Sequence, residues 1–355
     1  MRFVLLSTIF MGAWASSARL EDLPPDTIVT EALWEVPSGL PAEVPAPEGN
    51  PFVRERVELG RRLFFDPILS RDRDRSCATC HQPEFGFATN EARPPSLKGG
   101  KLERNAPSLF NRAFGKTQMW DGRFASLEEQ ALKPIAHEEE MGLPIEEAIT
   151  RLKEDTEYPA LFEEAFGQGP DDETLAKGLA SFVRRLFYGN TAMDDFRSGK
   201  VFALTTQERA GMWIFQSKAN CWRCHHGFNF TDEAFHNTGV GVVDGTSESG
   251  RMKYSNDVAD RGAFKTPSLR ALLMTPPYFH DGSVNTLREV VEFYNRGGEA
   301  NENLDPQMKP LELNEKEIDL LVAFLGSLSR HGRSAEVHSG ESEGSGGSGD
   351  SGGED

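Results

Sequence analysis

Two pentads of the form Cys-x-x-Cys-His constrain this chain more than anything else in it: Cys77-Ala78-Thr79-Cys80-His81 and Cys221-Trp222-Arg223-Cys224-His225. Each is the attachment signature of a c-type haem. The two sulfurs form thioethers to the porphyrin, and the adjacent histidine is held beneath the iron as its proximal ligand. The same cysteine pairs could serve zinc or a thioredoxin-type redox couple. Zinc asks for further Cys or His ligands at finger-like spacing, and a redox couple needs no following histidine. All 4 cysteines of the chain lie in the pentads, so the expectation is two covalent haem c groups and no structural disulfide.

A length of 355 residues suits about two domains, each with its own core. Residues 1–18 open with Met1-Arg2, continue through a short apolar run from Phe3 to Ala15 and exit through small residues ending at Ala18. That pattern reads as a cleaved signal peptide, too short for a membrane span. No later stretch is apolar enough to span, and no cysteine at the exit invites a lipid anchor. Export and a periplasmic location are therefore expected, as for other c-type cytochromes. The net charge is −18. An acidic surface argues against nucleic acid and suits a basic redox partner. Residues 331–355 form a Gly/Ser-rich acidic tail of disordered composition.

Residues 19–50 are Pro-rich and read as an extended arm. Beyond them the periodicities are helical. Arg54 to Phe65 is amphipathic and leads to the first pentad; Thr205 with Glu208 forms a capping box ahead of the second. Asn314 to Leu328 puts Ile318, Leu321, Val322, Leu325 and Leu328 on one face. Alternating patterns are scarce, so the expected class is all-α.

The chain also repeats itself. Ala106-Pro107-Ser108-Leu109 matches Thr266-Pro267-Ser268-Leu269, Trp120-Asp121-Gly122 matches His280-Asp281-Gly282, and Ser126-Leu127-Glu128-Glu129 matches Thr286-Leu287-Arg288-Glu289. All three matches share an offset of 160 residues, whereas the pentads repeat at 144, so the second half carries a longer loop after its pentad. Two tandem cytochrome c-like domains follow, residues 51–200 and residues 201–330, each with one covalent haem. Extending the register sets Pro134 opposite Tyr294 and Glu140 opposite Ala300. A phenol can ligate iron and proline cannot. If this segment lies over the distal face, the second haem is capped and the first is open to peroxide.

At these residues the chain resembles the bacterial dihaem cytochrome c peroxidase family, and within it the MauG-like branch. The resemblance runs from about Pro51 to Arg330. It rests on both pentads and on LGRRLFFDP (59–67), RNAPSLFN (104–111), WDGR (120–123), LEEQALKPI (127–135), EMG (140–142), KTPSLR (265–270), PPYFHDGS (276–283) and VVEFYNRGG (290–298). It implies an N-terminal peroxidatic haem and a C-terminal electron-transfer haem. Carried onto this sequence, Gln130 and Glu140 line the peroxide pocket beside Pro134, and Trp120 relays electrons between the haems. A calcium ion between the haems would take Asn105 by its side chain and Thr275 and Pro277 by their carbonyls, hard oxygen donors that suit that metal. Two positions depart from the common peroxidase pattern. Leu97 stands where many relatives have a displaceable distal histidine, so the first haem is expected to be open without prior reduction. Tyr294 stands where the usual ligand is methionine. A thioether raises the haem potential; an anionic phenolate lowers it.

In the mechanism this implies, Glu140 acts as general acid–base on bound hydrogen peroxide and Gln130 orients it. Electrons arrive through Trp120 and the His225/Tyr294 haem. Blander roles stay open at this stage: Glu138-Glu139-Glu140 as a solvated acidic turn, Gln130 on solvent, Trp120 as core packing, Tyr294 as an aromatic near a helix end. His137 rivals as a ligand of the first iron, and Met274 and Met308 as ligands of the second; His226 reads as a surface or propionate contact. Three functions compete. One is a peroxidase fed by a small redox protein, either a c-type cytochrome or a cupredoxin. Another is MauG-like long-range oxidation of aromatic residues in a protein substrate, and the third a plain dihaem electron carrier. A homodimer is usual among relatives.

Overall fold

In the computed structural model the described residues are 34–331; the expected signal peptide, the first part of the arm and nearly all of the acidic tail lie outside them. Among the described residues there are twelve α-helices: α1 (Arg54–Phe65), α2 (Cys77–Cys80), α3 (Leu127–Ala131), α4 (Lys133–Ala136), α5 (Ile145–Glu154), α6 (Tyr158–Phe166), α7 (Asp172–Arg184), α8 (Ala192–Arg197), α9 (Thr206–Gln216), α10 (Met252–Ser255), α11 (Leu287–Asn295) and α12 (Glu315–Ser327). Among the described residues the strands are one short antiparallel pair, β1 (Phe235–His236) with β2 (Phe264–Lys265). The molecule is thus mostly helical with little strand. Phe264 and Lys265 close the loop that follows the second pentad, which is longer than its counterpart in the first half, and that loop also supplies the partner strand.

The buried apolar side chains form two clusters. The first gathers Val57, Leu63, Phe64, Phe87, Phe162, Phe182 and neighbours up to Tyr188, with Ala271 added. The second runs from Ala192 through Phe215, Phe230, Val291 and Phe324 to Leu328. Each is organised by one helix crossing, α1 on α7 and α9 on α12. Both crossings are tight for the same reason. A Cβ on Gly60 would lie 1.9 Å from the Gly178 carbonyl oxygen, and one on Gly211 would lie 1.9 Å from that of Leu320. Only glycine lets one helix rest on the backbone of the other. α9 begins with the expected capping box of Thr205 and Glu208, and α12 is opened by Asn314 as its N-cap, each satisfying amide protons left free by the first turn.

The duplication holds at the level of single bonds. Gln118 pairs with Phe124 as Tyr278 pairs with Val284. Asn111 and Ala271 take φ of 60° and 61°, Met119 and Phe279 take 70° and 72°. Ser126 caps α3 through Glu129 N and Thr286 caps α11 through Glu289 N. The described part of the arm is anchored rather than free. Asn190 Oδ1 accepts from Ser38 N at 2.8 Å, Gly39 O accepts from Arg270 at 3.1 Å, and the guanidinium of Arg54 lies over Trp34.

Candidate active site

Each pentad folds as a single tight turn. Cys77 O accepts from His81 N at 2.9 Å, and Cys221 O accepts from His225 N at 2.9 Å. The ring Nδ1 of His81 lies 2.9 Å from Phe87 O, and that of His225 lies 2.9 Å from Phe230 O. A carbonyl can only accept, so Nδ1 carries the proton in both rings and Nε2 keeps its lone pair. Burial lowers the pKa of both imidazoles, which favours the neutral form a metal needs. The four thiols are unpaired. Burial pushes Cys77 and Cys221 up to about 12 and Cys80 up to about 11. Two sulfurs and one neutral Nε2 in each half form a donor set that fits a covalent haem c.

The segments facing the two pentads differ. In the first half the helix stops at Ala131, and a new turn, α4, starts with Pro134 in its first two positions. Proline has no amide proton, and its ring excludes the preceding carbonyl from a regular turn. Beyond it the chain doubles back: Met141 N donates to Pro134 O at 3.1 Å and Leu143 N to Ile135 O at 2.8 Å. This hairpin carries Glu140 back toward the first pentad, near enough for its charge to raise Cys80. Burial raises the Glu140 pKa above the usual carboxylate range, and His137 and Arg123 only partly oppose it. Gln130 is half-buried, its amide Nε2 3.9 Å from Met119 Sδ. Leu97 is tied to the same hairpin, its N donating to Glu139 O at 2.8 Å. His137 Nδ1 lies 3.6 Å from Glu140 Oε1 with half its side chain in solvent.

In the second half α11 runs unbroken to Asn295. Its last turn delivers Tyr294 to the second pentad. Burial pushes the phenol pKa well up, and the nearby sulfurs of Cys221 and Cys224 add to that. Phe279 and Phe293 pack edge-on around the ring at 6.1 Å and 5.6 Å. Met274, a rival ligand, packs against the first-half core, and Met308 reaches Gly298 behind the helix end. His226 is exposed, its Nδ1 3.2 Å from Arg223 O.

Trp120 sits where the two halves meet, its carbonyl accepting from Lys265 N at 2.8 Å. Its indole Nε1 donates to Asn105 O at 2.9 Å, and its ring meets His280 edge-on at 6.4 Å. Phe264 stacks on the other side of His280 at 3.7 Å. His280 Nε2 lies 2.7 Å from Glu248, which also accepts from Arg104 at 2.6 Å. Burial opposes ionisation of Glu248, but these two partners outweigh it and hold its pKa at about 2. Asn105 is buried and spends both amide protons on the carbonyls of Glu91 and Ala92, at 3.1 Å and 3.2 Å, so its Oδ1 is turned the other way as a donor for a hard cation. Pro277 is buried and Thr275 half-buried. Asn105 therefore fits the calcium role, and carbonyls at Thr275 and Pro277 are donors of the right kind.

Sequence reasoning missed the support of this bridge. Glu248 and Arg104 have no local signature, but His280 was visible as the register mate of Trp120. Also missed were the buried cluster of Arg112, Glu233 and Lys265, and the pair Arg270–Asp194.

The family model for di-haem cytochrome c peroxidase matches residues 54–201. The chain is 40% identical to methylamine utilization protein MauG of Methylorubrum extorquens over 294 residues, 81% of this chain and 82% of that one. It is 32% identical to the cytochrome c551 peroxidase of Pseudomonas aeruginosa over 300 residues, 82% and 83% of the two chains. Among solved structures, a MauG-like protein associated with microbial copper homeostasis superposes with a TM-score of 0.77 at 30% identity, covering 84% of this chain and 95% of that one.

Proposed function

Because the chain belongs to the di-haem cytochrome c peroxidase family, whose members carry two haem c groups, we propose that it is an exported oxidoreductase reducing hydrogen peroxide in its N-terminal half with electrons delivered through its C-terminal half. When bound, the haem at His81 supplies an iron open to peroxide and the haem at His225 an iron that passes electrons. The observation that carries the reading is the broken helix at Pro134 set against the unbroken one that carries Tyr294 in its last turn.

His81 and His225 would each hold a haem iron by Nε2, and Tyr294 would hold the second iron by its phenol oxygen. Glu140 takes a proton from one peroxide oxygen and returns it to the other, which leaves as water when the O–O bond breaks. The two electrons delivered through the C-terminal half, with two protons, turn the remaining oxygen into a second water. Its raised pKa keeps it basic enough to accept that proton. Gln130 holds the peroxide by its amide. The indole of Trp120, fixed by Asn105 and edge-on to His280, relays electrons. Asn105, Thr275 and Pro277 would hold a calcium ion that ties the two halves together there. Tandem cytochrome c-like domains, divided between Tyr188 and Ala192 rather than at residue 200, would each enclose one haem. The leader of residues 1–18 directs the protein to the periplasm, where a small c-type cytochrome or cupredoxin donates electrons.

A second reading is MauG-like oxidation of aromatic residues in a partner protein. Tyr294 in place of methionine and Leu97 in place of a distal histidine favour it. Spectroscopy of the oxidised holoprotein tests the shared core of both readings: one high-spin and one low-spin ferric haem are expected, with direct reaction of the diferric form with peroxide. Two low-spin haems would refute the open site. Peroxide-dependent turnover of a reduced cytochrome then separates the two readings.

A further inference from the structure

The halves meet through reciprocal bonds. Asn105 N donates to His280 O at 2.8 Å, and Lys265 N donates to Trp120 O at 2.8 Å. Lys265 is the register mate of Asn105 and Trp120 that of His280, so each bond is a copy of the other. The same offset of 160 residues pairs Thr117 with Pro277 and Gly115 with Thr275. The proposed calcium donors thus have a complete second set across the pseudo-two-fold: Lys265, Gly115 and Thr117.

In that second set the side chain is itself a cation. Lys265 Nζ donates to Thr117 O at 2.5 Å, with 8% of the side chain exposed. Arg112 donates to the same carbonyl at 2.6 Å. Glu233 offsets one of the two positive charges, 2.7 Å from Arg112 and 3.6 Å from Lys265, and burial together with Arg112 lowers the Lys265 pKa to about 7. The register mate of Arg112 is Leu272, so the first set has no such guanidinium. A buried ion pair with Glu233 would account for the charges alone. It does not account for the bond to Thr117 O, the carbonyl that matches a proposed calcium donor.

We propose that Lys265, assisted by Arg112, is the resident cation of a second inter-half site, standing where the duplicated frame would otherwise hold a metal ion. This rests on the calcium reading above. Carbonyls turned into a buried join must be met by a donor or a cation, since an unmet one is costly. One side of the Trp120–His280 pair is then met by an ion that can be removed, and the other by one tethered to the chain. Chelation would release the Asn105 side, which holds the indole, and leave the backbone of Trp120 fixed by Lys265.

The test compares bound calcium and thermal unfolding of the holoprotein, with and without chelator, in the wild type, in Asn105→Lys and in the double variant Lys265→Asn with Arg112→Leu. One ion per chain is expected in the wild type. None is expected in Asn105→Lys, whose unfolding temperature should match the calcium-loaded wild type and ignore the chelator. Two are expected in the double variant. A wild type without calcium refutes the calcium reading and this inference with it. A wild type with one ion, a double variant that still holds one, and Asn105→Lys no more stable than the chelated wild type overturn the Lys265 inference alone. Should the double variant fail to fold, the stability of Asn105→Lys decides the matter in the same two directions.

Discussion

The two halves share a frame and differ in the segment that faces each pentad. Both cross their helices on a glycine, both hold the proximal imidazole by Nδ1 on a carbonyl six or fewer residues onward, and both cap the facing helix with a hydroxyl. After that cap, α3 breaks ahead of Pro134 while α11 continues for another turn. The break opens a hairpin that brings in Glu140; the continuation brings in Tyr294. In the first half Pro134 thus ends the helix before the position that Tyr294 fills in the second, and the chain beyond it turns back to deliver Glu140. The cores differ in kind as well. Phe110, which packs among Phe87 and Tyr188, has Arg270 as its mate, and Arg270 forks onto Asp194 with two bonds of 2.8 Å.

The division of labour is most directly broken at Tyr294. Tyr294→Phe should turn the expected low-spin ferric haem high-spin, leaving two high-spin haems by electron paramagnetic resonance; an unchanged low-spin signal would assign the ligand elsewhere. Next in size is Glu140→Gln. With haem content unchanged, the rate of the diferric protein with peroxide should fall by about 10²–10⁴-fold in stopped flow. In the wild type the same reaction should decline as pH drops through the raised Glu140 pKa, because only the carboxylate can accept the proton, and the variant should lack that limb. Full reactivity in Glu140→Gln would remove the acid from the chemistry.

Asp194→Asn tests the contrast between the cores. The pair is buried on both sides, and removing one charge from such a pair costs about 3–5 kcal/mol. Burial disfavours the Asp194 carboxylate, yet Arg270 and Thr191 reverse this and hold its pKa below the usual range. Its contribution is thus present above the ordinary carboxylate value and lost as pH falls through the depressed one. Urea unfolding at neutral and acid pH checks both the size and the direction. Smallest and most symmetric are the caps: Ser126→Ala and Thr286→Ala should each cost about 1 kcal/mol. Unequal costs would mean that the facing helices are not energetically equivalent before they diverge.

Much of this was legible in the sequence because the decisive signals are local or periodic. The pentads are contiguous, the capping boxes sit at fixed spacing, and Arg54–Phe65 forms the predicted helix with its predicted ends. Tyr294 could be singled out because the repeat has no gap across the segment that carries it. What escaped were partners with no fixed spacing. Glu248 reaches His280 and Arg104 from the long loop that interrupts the register. Asp194 and Arg270 are 76 residues apart, and neither composition nor periodicity joins them. The arm read as extended, but the contacts of Ser38 and Gly39 with Asn190 and Arg270 are tertiary and leave no trace in a Pro-rich composition.

The reciprocal bonds between Asn105 and His280 and between Lys265 and Trp120 have a bearing on ancestry. A join in which each side supplies what the other accepts is the geometry of an isologous dimer, so a single ancestral half could have paired with another copy of itself. Such a pair cannot specialise, since every substitution strikes both partners at once. Fusion into one chain lets a position mutate on one side only, and proline at 134 with tyrosine at 294 is such a one-sided difference.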